Sequence, residues 1–157
     1  MSKIFTVAKG EFYRYFISPL AYVYLICFLL LTGSLSLYFG GIFSQGDASL
    51  RPMFEVLPWI FILFVSGIAM RLWAEELKSG TVLQIVTLPV SINAFIWGKF
   101  LAAWAFCGVA LVLTFPFVIT INILGDPDNW VIFNSYAGAF LLIGAMLAVS
   151  QTASALT

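Results

Sequence analysis

Four stretches of this chain run long enough, or nearly so, without a charge to fill a bilayer: Leu20–Phe39 within an uncharged run over 15–46, Val56–Met70, Phe100–Leu124, and the run from Trp130 through Ala137–Val149. A helix crosses a hydrocarbon core of ~30 Å with about 20 residues. Val56–Met70 is short for this and reaches spanning length if Arg71 snorkels to the interface beside Trp73. All four runs are continuously apolar with no alternation, which favours helices over a barrel. Soluble domains carry about 25% charged residues, whereas this one has 9%, with 62% hydrophobic and 17% aromatic residues. The fold expected is all-α: a polytopic transmembrane helical bundle of about four spans, an N-terminal interfacial helix and a cytoplasmic coupling helix.

A fifth uncharged window, Ser79–Gly98, is long enough to span but holds Ser79, Thr81, Gln84, Thr87, Pro89, Ser91 and Asn93. Those groups make insertion poor, and Gly98-Lys99 leaves almost no room for a hairpin into the next run. The window reads instead as an interfacial helix ending near Pro89, a turn, and a short helix leading back to the membrane. Basic residues orient the whole. Lys3, Lys9, Arg14, Arg71, Lys78 and Lys99 fall on one side of a four-span arrangement and only Arg51 on the other. The positive-inside rule makes the former side cytoplasmic, with the N-terminus.

Ahead of the first run, Ile4, Phe5, Ala8, Phe12, Tyr15 and Phe16 share about a third of a helical circumference, with Lys3, Gly10 and Arg14 opposite. Ser18-Pro19 breaks that helix. An elbow lying in the cytoplasmic interface is expected, built on Lys3, Lys9, Phe12, Arg14 and Phe16; the first turns of one long tilted helix are the alternative. On the external side, residues 44–58 suggest a turn and a short helix with Leu50, Phe54 and Leu57 towards the membrane. Gly125 and Pro127 make a tight turn of residues 124–130, where Asp126 and Asp128 read as solvated punctuation rather than a metal site.

Much chemistry is missing. The chain has no His, and Cys27 and Cys107 lie in different apolar runs, so no zinc spacing, disulfide framework or Cys-His nucleophile can be drawn. Gly98-Lys99-Phe100 has the Gly-Lys pair of a phosphate loop without its upstream glycine or following Ser/Thr. The uncharged runs offer no proton relay, and a net charge of zero offers no field for nucleic acid. No catalysis, metal or cofactor is expected. What stands out is a knot of charge after the second run, Arg71, Glu75, Glu76 and Lys78, followed by Ser79, which can cap a helix, and Pro89, which stops it. Such a segment is either a solvated loop or a surface whose carboxylates pair with basic groups of a partner.

The stretch RLWAEELKSGTVLQIVTLPVSINAFIWGKFLAAW, with the opening KGEFYRYFISPLAYVY and the GDPD turn, resembles type-2 ABC exporter permeases, with a flavour of the gliding-motility-associated subgroup. The resemblance covers essentially the whole chain through the order and spacing of its motifs. It implies six spans per subunit, two such permease subunits (homo- or heterodimer) and separate cytoplasmic ATP-binding subunits. Glu75, Glu76, Gly80 and Thr81 match the family's loop that meets the ATPase, with Arg71, Lys78 and Pro89 framing it, and residues 3–16 match its elbow. The chain stops near the close of a fourth span, so it is expected to be part of a longer permease.

One transmembrane permease domain over 1–157 is therefore expected: elbow 1–18, span one 19–40, span two 55–73, cytoplasmic coupling segment 74–98, span three 99–124 and span four 130–154. Its expected function is to couple ATP hydrolysis by a cytoplasmic partner to export across the inner membrane. The alternative, a small membrane scaffold, would recruit a cytoplasmic partner without transport.

Overall fold

The computed structural model describes the backbone of residues 2–40, 50–79 and 92–156. Six helices account for nearly all of it: α1 (Ser2–Ile17), α2 (Pro19–Gly40), α3 (Arg51–Ser79), α4 (Ile92–Val112), α5 (Phe115–Leu124) and α6 (Asn129–Leu156). No strand occurs among the described residues. The fold is all-α, and four segments are long and apolar enough to cross a membrane: Pro19–Tyr38, Arg51–Met70, Asn93–Leu124 and Asn129–Ser154.

The breaks have local causes. Between α1 and α2 the chain bends at Ser18, whose N–H still reaches the carbonyls of Arg14 (3.3 Å) and Tyr15 (3.2 Å). Pro19 then opens α2, a position where its missing N–H costs nothing. Between α4 and α5 the cause is Pro116, which removes a helical N–H. Thr114 fills the gap: its Oγ1 donates to the carbonyl of Leu111 at 2.7 Å or shares a proton with Tyr136 Oη at 2.8 Å. Elsewhere hydroxyls bond back to their own helix, as with Ser66 to Leu63 O, Thr120 to Pro116 O and Ser135 to Val131 O. Few polar groups are thereby left facing lipid.

Rings and small residues set the helix pairings. α2 and α3 run antiparallel, with Tyr24 against Gly67 and Phe28 between Phe61 and Phe64 at centroid distances of 5.6 and 4.9 Å. α4 and α6 also run antiparallel: Trp104 stacks on Phe140 at 4.5 Å while its Nε1–H donates to the Phe140 carbonyl at 3.0 Å, and Gln151 reaches the Ile96 carbonyl at 3.4 Å. α3 and α6 lie side by side, joined near their starts by Phe54 against Tyr136.

Some of these expectations need correction. Leu50 and Leu57 do not face the membrane; they are 4% and 1% exposed and belong to the core, and Phe54 turns its ring to Tyr136. The short helix expected here starts at Arg51 and runs on through Pro58 into the second span; the turn ahead of it falls on residues 44–49, outside the described residues. One lost backbone bond is tolerated in a membrane segment, where non-helical backbone is costlier. Arg51 and Glu55 pair at 3.1 Å on the exposed surface of these first turns. At its other end α3 does not stop near residue 73 but continues to Ser79, because Ala74–Lys78 is a run of strong helix formers with no breaker before Gly80. The short helix expected to lead into the third span begins at Ile92 and is continuous with that span; the expected interfacial helix and turn up to Pro89 fall on residues 80–91, outside the described residues.

Candidate functional site

The end of the bundle that carries α1 gathers most of the chain's basic residues. α1 packs on α4 more extensively than any other helix pair meets. Its inner face follows a helical period: Val7, Ala8, Glu11, Phe12, Tyr15 and Phe16 are all half-buried. Val7 lies at Gly98, where an added Cβ would stand 2.6 Å from Val7 Cγ1 and 3.3 Å from the backbone nitrogen of Ala8. Eight residues further along both helices, Tyr15 stacks on Phe106 at 5.1 Å and Phe16 meets the same ring edge-on at 5.7 Å. The equal offset means that α1 and α4 run side by side in the same direction. Gly98, the buried Ala102 and Phe106 form one stripe of α4, four residues apart, in which the absence of bulk lets the backbones approach.

This arrangement rotates the apolar face read from periodicity. Ala8, Phe12, Tyr15 and Phe16, from the face expected to lie in the interface, pack towards the bundle together with Val7, while Phe5 is 73% exposed. Of the expected elbow residues, Phe12 and Phe16 pack inwards, 5.0 Å apart. Lys9 is exposed, and Arg14, with a 70% exposed side chain, pairs with Glu11 at 3.3 Å. Lys3 lies in the first turn of α1.

Bilayer thickness puts this contact in context. α4 and α5 together offer a predominantly apolar segment of 32 residues, Asn93–Leu124, about 48 Å of helix for a core of about 30 Å. Counting about 20 residues back from Leu124 leaves Asn93–Ala103, the part α1 covers from Val7 onward, at or beyond the hydrocarbon edge. Lys99 sits there, only 3% exposed, its Nζ 5.1 Å from the centre of the Phe95 ring. Sequence reading treated Lys99 as a loop charge; the structure buries it within α4 over an aromatic face, which attracts a cation. The neighbouring Phe95 was the only signal for this.

The expected coupling residues divide in two. Arg71, Glu75, Glu76 and Lys78 occupy the last turns of α3, past Met70 where its apolar window ends. Gly80, Thr81 and Pro89 lie outside the described residues. The buried Leu57, Phe61, Phe64 and Ile68 lie ahead of the charged residues on the same continuous helix.

The opposite end is arranged differently. Asp128 closes the turn before α6 by accepting the Trp130 N–H on Oδ1 at 3.0 Å, which makes it a helix cap. Asn122 and Asn129 exchange two amide hydrogen bonds, each 3.2 Å. Among the described residues no three of His, Cys, Asp or Glu gather as metal ligands. Cys107 is buried and Cys27 exposed, on different helices. No protein-family model, curated protein or solved structure matches the chain.

Proposed function

We propose that this chain is a membrane-spanning permease subunit of an ATP-driven exporter of the type-2 ABC kind, inserted in the inner membrane with its N-terminus cytoplasmic. The observation that carries the reading is the charged end of α3. A helix continuous with a membrane span emerges bearing Arg71, Glu75, Glu76 and Lys78 in its last turns. A push on that end is transmitted along a rigid helix into Phe64, Phe61 and Leu57, which belong to the core. The order of sequence motifs, with Gly80, Thr81 and Pro89 following, supports a cytoplasmic ATP-binding subunit as the source of the push and a second permease subunit across the pathway. The chain itself performs no catalysis in this reading.

Replacing Glu75 and Glu76 by Lys tests it. Charge reversal at a partner surface costs several kcal/mol in mismatched contacts, whereas on a solvated helix end it costs within about 0.5 kcal/mol. The double variant is expected to insert normally while losing copurification with the ATPase, or losing stimulation of it. Normal copurification and transport would remove α3 from the coupling path. A chain that binds an ATPase without stimulating it would instead be a scaffold.

A further inference from the structure

Only one face of α1 is used inside the molecule. On the other, Phe5, Lys9, Tyr13 and Ile17 succeed one another at every fourth residue, with Arg14 beside them. Phe5, Tyr13 and Ile17 are 73%, 69% and 69% exposed. Exposed rings and aliphatics of this density, set between cations, suit neither water alone nor the hydrocarbon core; they suit the boundary between the two. Two features of the fold fix which boundary. The exposed Ile17 is followed, past the bend at Ser18, by Leu20, Val23 and Ile26, exposed apolar residues of the first candidate span. And the first half of α1, from Val7, packs on the part of α4 around Gly98 that a bilayer-thick segment leaves at the edge of the hydrocarbon.

Charge selects the lipid. α1 holds Lys3, Lys9 and Arg14 against a single acid, and that acid, Glu11, is half-buried with a 17% exposed side chain. We propose that the outer face of α1 docks in the headgroup layer with a preference for anionic phospholipid. Phe5, Tyr13 and Ile17 enter the interface while Lys9 and Arg14 meet headgroup phosphates. This rests on the membrane-spanning reading of the chain and adds to it a lipid class and the residues that choose it. Two basic side chains near an anionic surface favour it by about 30-fold in equilibrium constant, an upper bound for a helix already tethered to the bilayer.

The test uses the whole chain reconstituted in phosphatidylcholine vesicles containing phosphatidylglycerol. Spin-labelled phosphatidylglycerol is expected to associate with the protein at least about twofold more strongly than spin-labelled phosphatidylcholine. The preference should vanish in the K9E/R14E variant and in high salt, and persist in R51E, whose charge lies at the other end. In a C27S/C107A background, a label at Tyr13→Cys should be several-fold less accessible to an aqueous quencher than one at Asp126→Cys in the exposed turn. Equal association of the two lipids, or a preference that survives K9E/R14E, overturns the proposal while leaving the spans untouched. Equal accessibility at positions 13 and 126 also overturns it and leaves the face to a protein partner. If alkaline carbonate extracts the chain from the vesicles, the membrane-spanning reading fails, and this proposal with it.

Discussion

The two ends of the bundle solve the same problem in opposite ways. At the Gly125–Asn129 end, polar groups are consumed internally: Asn122 and Asn129 satisfy each other, Asp128 caps α6, and Thr114 closes the α4–α5 break on Tyr136. At the α1 end, the contact is apolar and close, Val7 on Gly98 and two rings on Phe106, while Lys9 and Arg14 are left on the outer side. The first end is a closed connection. The second is a packed platform whose polar groups are available to lipid or partner. In a membrane protein the place to look for interaction is therefore the end whose charges are not needed to complete the fold.

The comparison breaks most readily at Phe106. This ring is 1% exposed and touches Tyr15, Phe16 and Phe64. Phe106→Ala should cost about 3 kcal/mol, at the low end for a buried Phe, since lipid tails lessen the hydrophobic part of the loss. Denaturant unfolding in micelles measures the cost. The same variant should make a thiol at position 12 or 16 reactive as α1 loosens; a stable protein with those positions still protected would show that α1 does not depend on this ring.

Gly98→Val is the next largest effect. A side chain there collides with Val7 and with the backbone at Ala8, and overpacking costs about 1–3 kcal/mol. Because backbone cannot be repacked as a side chain can, the expected outcome is displacement of α1 with the α4–α6 contact kept. Position-specific thiol labelling on α1 and on α6 separates the two. Smallest is the Asn122/Asn129 pair. Each Asn→Ala change should cost about 0.5–1 kcal/mol, with a coupling of about 0.6 kcal/mol in a double-mutant cycle. A coupling near zero would mean that this end is held by the turn alone, and the contrast between the ends would weaken.

How far the fold could be read in advance depended on what limited each element. The bounds of α2 follow from Pro19 and an unbroken apolar run, both local facts. Local signals placed a short helix within residues 44–58 but not its continuation through Pro58, which rests on the bilayer's greater penalty for exposed backbone. Glu75, Glu76 and Lys78 were grouped as a loop because they are charged, although the same residues are good helix formers and α3 carries them to Ser79. The candidate site was legible as a list of charges but not as the end of a helix: that Arg71, Glu75, Glu76 and Lys78 sit on the same unbroken helix as the buried Leu57, Phe61, Phe64 and Ile68 needed the structure.

Composition and hydropathy by themselves determined that this protein is helical, that it has four segments fit for a membrane, and that its basic residues lie mostly to one side of them. These are properties of single segments, set by the transfer of each from water to hydrocarbon, and no neighbour is required to evaluate them. Only the tertiary structure decided which side of each helix is inside. In α1 the apolar residues spread over more than one face, so amphipathicity alone admits several rotations; Gly98 and Phe106 choose the one that puts Val7 and Tyr15 in and Phe5 and Tyr13 out. That choice rests on shape, on where a missing side chain lets another backbone come close, and shape at a contact belongs to two helices at once.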